Sequence, residues 1–246
     1  MNIPRLFFTF GCLSGLPLLA LPLVAGSPEP LTNKIRVLLV TGGHGFEKQP
    51  FFKLFQDNPD ITYQAVEHPK AHALLKAEAA KQWDVLVLYD LHQEITPEAK
   101  ADFVARLKEG KGLVVLHHAI ANYQAWPEYT TIIGGHYYLE AANVQGVAKQ
   151  ASAWKEGLHF RIHVADPNHP VTRGITDFDT HDEVYKYFDI AKECHPLLTT
   201  DEPLSEHVIG WTKTYEGARV VYLQSGHDHF AYENPNYQQL VRQAIR

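Results

Sequence analysis

Histidine is over-represented in this sequence: there are 15 in 246 residues, and several stand beside Gly, Asp or Glu. Imidazole titrates near neutrality and is the commonest nitrogen ligand of zinc-like ions, so such clustering points to metal or proton chemistry. Three histidines follow apolar runs directly. His44 stands in Thr41-Gly42-Gly43-His44-Gly45-Phe46, His117 follows Leu113-Val114-Val115-Leu116, and His227 lies in Gln224-Ser225-Gly226-His227-Asp228. Taken singly, His44 and His227 could merely cap tight glycine turns. Taken together, imidazoles from separate strand ends can surround one divalent ion, such as zinc, and leave a position open for substrate. The acidic partner is expected in Asp177-Phe178-Asp179-Thr180-His181-Asp182-Glu183-Val184-Tyr185. There Glu183 would be carboxylate ligand or general base, Tyr185 would share its strand face, and Asp182 would lie opposite. The expected metal set is therefore His44, His117, His227 and Glu183, with Glu183, His117 and His227 also carrying catalysis.

A second tier of residues would bind substrate. His118, next to a strand end, should point away from His117 and support it or touch substrate from beneath. His136, after Gly134-Gly135, and the paired Tyr137-Tyr138 are placed at the pocket wall, with core packing an equal account of the aromatics, and Tyr185 and Asp228 are expected to orient the ligands or contact substrate. Trp126, Trp154 and Trp211 offer apolar faces on which a sugar could stack, with buried packing the plainer account of each. His169-Pro170-Val171-Thr172-Arg173-Gly174 reads as a structural turn.

The elements that must position these groups are legible as runs. Ile35 to Thr41, Ile61 to Val66, Trp83 to Tyr89 and Gly112 to Leu116 are short apolar stretches, the mark of strands buried on both faces. Helices are expected over Gln49 to Gln56 and from Thr96-Pro97-Glu98, which supplies an N-cap, a first-turn proline and an acidic first turn, to Glu109. Alternating strands and helices imply a doubly wound α/β fold, a mostly parallel sheet with helices on both faces, whose ligands bind beyond the strands' carboxyl ends. In the second half Leu158 to Val164, Glu183 to Phe188, Glu206 to Lys213 and Ala218 to Gln224 have short connections, which implies a partly antiparallel extension. Tyr137 to Lys155 is expected to be a loop or lid over the site.

Residues 1–26 read as a signal peptide: Arg5, then a nearly all-apolar run to Ala25, interrupted by Pro17 and Pro22, and small residues at the cleavage region. Residues 27–33 form a linker, and the domain spans 34–246. The mature chain would be periplasmic or extracellular, without stable membrane insertion, and Cys194 would be its one thiol, unable to form an internal disulfide. A formal net charge of -6 without a basic stripe argues against nucleic acid as a partner. A homodimer is the base-rate expectation.

Across nearly all of the mature sequence the chain resembles the ThuA-like, trehalose-utilisation family. The matching features are Thr41-Gly42-Gly43-His44, Leu116-His117-His118-Ala119, Ile133-Gly134-Gly135, Asn168-His169-Pro170-Val171-Thr172, Asp182-Glu183-Val184-Tyr185, Gly210-Trp211 and Gly226-His227-Asp228. The resemblance implies a flavodoxin-like fold similar to class I glutamine amidotransferases, and a small-molecule carbohydrate as partner. The nucleophilic cysteine of those amidotransferases is replaced here by His117-His118-Ala119, and Cys194 lies elsewhere, so thioester chemistry is not expected. The leading expectation is a metal-assisted hydrolase or lyase acting on a sugar or keto-glycoside. The alternatives are a carbohydrate-binding accessory subunit with the same cleft, and a metal-free hydrolase using histidine as acid and base.

Overall fold

A computed structural model of the chain describes Met1 and residues 34–246, so the expected signal peptide and linker lie outside the described residues. The first half supplies β1 (Ile35–Gly42), β2 (Ile61–Glu67), β3 (Val85–Asp90) and β4 (Gly112–Leu116). Between them run α1 (Lys48–Gln56), α2 (Ala77–Ala80) and α3 (Pro97–Lys108). Helix α4 (Pro127–Ile133) then leads into three short strands, β5 (Gly135–His136), β6 (Ala142–Val144) and β7 (Val147–Lys149). The remaining strands are β8 (Ala153–Val164), β9 (Phe178–Lys186), β10 (Asp189–Ile190), β11 (His195–Thr199), β12 (Val208–Tyr215) and β13 (Ala218–Leu223). Helices α5 (His229–Tyr232) and α6 (Pro235–Ile245) end the chain. None of the described helices is long and apolar enough to cross a membrane.

Nine strands form one sheet in the order β2-β1-β3-β4-β13-β12-β11-β8-β9. Its first five members are mutually parallel. Their order is the 2-1-3-4-5 of flavodoxin-like folds, with the fifth place taken by a strand from late in the chain. The rest pair antiparallel, as the short connections of the second half require. Helices cover both faces, which is why the parallel strands read as continuous apolar runs. Leu38, Val40, Leu86, Leu88 and Val115 pack with Phe103 and Leu107 of α3. Val37, Leu39, Val87, Val114 and Leu116 pack with Phe51 and Phe55 of α1 and Leu240 and Val241 of α6. Thr96 caps α3 as expected, its hydroxyl accepting the Ala99 N–H at 3.2 Å.

The segment Tyr137 to Lys155 departs from expectation. It holds β5's exit, the β6–β7 hairpin and the start of β8, whose Trp154 pairs with Tyr185 and Lys155 with Val184. The sequence signal placed the strand start at Leu158, because Glu156 and Gly157 form a bulge that breaks the period-two alternation on which the reading relied.

At the carboxyl edge the turns after β1 and β3 press together. Gly43 has φ +79°, and a Cβ there would overlap the carbonyl oxygen of Leu91, so only glycine brings His44 over this edge. Gly43→Ala should cost about 2 kcal/mol or more, a fall in Tm of roughly 4–8 °C, whereas Gly45→Ala, with open space around its Cβ, should stay within about 0.5 kcal/mol. Thermal unfolding of the two variants checks the contrast.

Candidate active site

The chain leaves β4 through His117, whose φ of +52° is rare for a residue with a side chain, and then makes a 3-10 turn over His117–Ala121. Holding a non-glycine residue there costs on the order of 1–3 kcal/mol, and such residues concentrate at functional sites. The turn also corrects the expectation that His117 and His118 point apart. Strand alternation stops at Leu116, and the two rings lie side by side with centroids 5.3 Å apart, His118 at the cleft and His117 buried beside it. The Nδ1 of His117 lies 2.6 Å from the Gln224 carbonyl oxygen. A carbonyl only accepts, so Nδ1 carries a hydrogen. Its Nε2 is 3.1 Å from Glu183 Oε2 and 2.9 Å from the Tyr185 hydroxyl.

Glu183 and Tyr185 share a face of β9, and Asp182 points the other way, as the alternation predicts. Asp182 is buried, with 2 % of its surface exposed. Its carboxylate accepts the backbone N–H groups of Gly226 (2.9 Å), His227 (3.0 Å) and Glu183 (2.8 Å). Burial pushes this carboxyl up, with His117 and the three N–H groups pulling the other way. The clamp holds the turn after β13 against β9. It thereby sets the His227 Nδ1 3.5 Å from Glu183 Oε2, while Nε2 lies 3.2 Å from Glu156 Oε2.

Three ligand atoms, one each from His117, Glu183 and His227, thus lie within 4.8 Å of one another. Burial raises the Glu183 carboxyl, but the adjacent His117 and His227 imidazoles outweigh it and hold the group well below the usual range. The same contact with Glu183 lifts His227 to about 9 against the pull of burial. Nevertheless His227 Nδ1 is buried without a hydrogen-bond partner. Both histidines have their remote nitrogen turned to an acceptor and their near nitrogen turned to Glu183, so a cation bound between them would displace the proton His227 otherwise carries and meet two imidazole lone pairs. Two nitrogens and one carboxylate oxygen suit a zinc-like ion with an open position.

A cleft of about 510 Å³ opens over Glu183 and His227, with His117 buried beneath them, and is walled by His44, His118, Tyr137, Leu139, Trp154 and Glu156 among others. A larger groove of about 670 Å³ lies at the amino ends of β3 and β4, beside Arg173 and His195, and contains none of the three.

His44 is exposed at the cleft wall, its ring centroid 4.6 Å from that of His118, and it is not among the converging atoms. Its Nδ1 turns to the Gly45 carbonyl at 2.7 Å. His118 presents its ring to the cleft while both nitrogens are buried without partners, and burial keeps it neutral. His136 and Tyr138 do not line the cleft. Tyr138 donates to Asp189 Oδ2 at 2.6 Å and His136 Nδ1 sits 2.8 Å from Thr130 Oγ1; Tyr137, the residue between them, takes the cleft face by alternation. Asp228 caps α5 by accepting the Phe230 N–H at 2.9 Å, and Asp182 performs the orienting task expected of it. Trp126 and Trp211 are core residues, whereas Trp154 stands 60 % exposed at the rim. Glu156 and the Gln224 carbonyl escaped the sequence reading. A glycine inside a strand pattern, at Gly157, was the one available sign of the bulge that brings Glu156 in.

The family model for trehalose utilisation, ThuA, matches residues 36–246. Comparison with curated proteins gives no match. Among solved structures, a ThuA-like protein of Parabacteroides merdae ATCC 43184 superposes with a TM-score of 0.70 at 18% identity, covering 86% of this chain and 88% of that one. One of Bacteroides uniformis ATCC 8492 gives 0.65 at 19%, covering 90% and 94%. A cytoplasmic protein of Salmonella typhimurium LT2 gives 0.60 at 12%, covering 86% and 98%. At these identities the superpositions speak for the fold, and the extent of the family match decides membership: the chain belongs to the ThuA, trehalose-utilisation, family.

Proposed function

We propose that this protein is an exported, metal-assisted enzyme of carbohydrate metabolism, a hydrolase or lyase acting on a sugar or keto-glycoside. The observation that carries the reading is the convergence of His117 Nε2, Glu183 Oε2 and the buried Nδ1 of His227, which has no hydrogen-bond partner, within 4.8 Å of one another. Without an ion, a proton on His227 satisfies this trio, and a divalent ion bound there would take that proton's place. A divalent ion bound there would polarise a carbonyl or hydroxyl oxygen of the sugar. His117 and His227 would hold the ion, and Glu183 would serve as its carboxylate ligand or as the base that takes a proton from the carbon alpha to the carbonyl or from water. Tyr185, its hydroxyl 2.9 Å from His117 Nε2, orients that ring or donates to substrate oxygen.

Trp154 supports a sugar as substrate. An indole left 60 % exposed at the cleft gives a flat apolar face to the C–H face of a pyranose. Thioester chemistry finds no support, because His117 occupies the turn after β4. Cys194 donates to the Gly134 carbonyl at 3.3 Å, and burial pushes its thiol up to about 11. The apolar run before the domain supports export, which cell fractionation checks.

Metal analysis of protein purified without chelator should find about one divalent ion per chain, and His117→Ala or His227→Ala should each lose it together with at least about 100-fold of the activity on a panel of sugars and keto-glycosides. A wild-type chain that neither retains nor takes up zinc, manganese or cobalt ends the metal reading. Trp154→Ala should weaken sugar binding about tenfold with Tm unchanged, as measured by calorimetric titration and thermal unfolding.

A further inference from the structure

The contact between His227 and Glu156 depends on an irregularity of β8. In the β8–β9 ladder Lys155 pairs with Val184 and Leu158 with Asp182, so Glu156 and Gly157 together stand opposite Glu183 alone. Two residues facing one is a β-bulge, a device that re-aims side chains next to functional sites. Gly157 has φ +74°, in the left-handed region, which lets the strand resume its ladder after the extra residue. The bulge leans Glu156 over the cleft, where its Oε2 lies 3.2 Å from His227 Nε2. The side chain of Glu156 is 58% exposed and packs into no core, so an ion pair at this position adds little to the stability of the fold.

We propose that Glu156 is a positioning residue for a cation centre formed by His117, Glu183 and His227, holding the His227 ring by accepting from Nε2–H so that Nδ1 faces the centre. The inference rests on the metal reading above. His227 follows Gly226, and the backbone clamp from Asp182 fixes its main chain while leaving its ring free to turn about its own torsions. Glu156 is the group that contacts the remote nitrogen of that ring, as the Gln224 carbonyl does for His117. His117 is buried and locked by strand ends; His227 lies partly exposed at the cleft and needs this outer contact to keep one orientation. The strand that carries the exposed Trp154 therefore also orients a ligand of the centre, from two residues further along.

Glu156→Ala and Glu156→Gln, made in the full mature chain and stripped of metal, test this by titration with Zn²⁺ in calorimetry and with Co²⁺ followed by visible absorption. Glu156→Ala should bind both ions roughly 10–100-fold more weakly than the wild type, with a changed Co²⁺ spectrum and an unchanged Tm. Glu156→Gln, whose amide oxygen still accepts a hydrogen bond, should fall between the two. Alanine-variant affinities within twofold of wild type, with the same Co²⁺ spectrum, overturn the positioning role and leave the metal reading standing. A wild type that binds neither ion overturns the metal reading and the positioning role with it.

Discussion

One buried carboxylate joins the two halves of this sheet where the chemistry would take place. Asp182 takes three backbone N–H groups, two of them from the turn after β13, and so ties the last parallel strand to β9 at the far edge of the antiparallel extension. Removing a carboxylate from water costs several kcal/mol, and hydrogen bonds to an ionised acceptor are among the few interactions strong enough to offset that. Its neighbour Glu183 points to the opposite face and meets the imidazoles. Adjacent residues of one strand thus divide the work: one carboxylate fixes the backbone of the His227 turn, and the next engages its ring.

The other fixed point is His117. A strained backbone at the end of β4 and the Gln224 carbonyl together fix the orientation of its ring, with Nδ1 on the carbonyl and Nε2 toward Glu183. Gln224 belongs to the segment leaving β13, as does His227, so a single chain segment orients one imidazole by its carbonyl and supplies the other. The site is consequently an assembly of β4, β9 and the β13 exit, with β8 leaning over it. The doubly wound core by itself provides the strand ends, while the antiparallel arm provides the carboxylates. Membership in the family and a shared fold leave the reaction open, because chemistry belongs to the side chains placed on a fold and to the cleft they line.

Much of this architecture is legible from the amino acids alone. Apolar runs bounded by glycine, the Thr96-Pro97 helix start and the short links of the second half specify a doubly wound sheet with an antiparallel extension, because burial on two faces and turn chemistry are local demands. His117, His227 and Glu183 were legible as well, since each stands at a strand end or on a strand face whose direction a period of two predicts. Only tertiary structure decided the rest. Whether His118 shares the cleft turned on the 3-10 turn at His117, and whether Tyr137 or Tyr138 faces it turned on the register of a two-residue strand, neither of which leaves a periodic signal. His44 stays at the wall and Glu156 enters through a bulge, because contacts between distant strands are set by pairing register and by backbone acceptors such as the Gln224 carbonyl, which every residue carries and no sequence distinguishes.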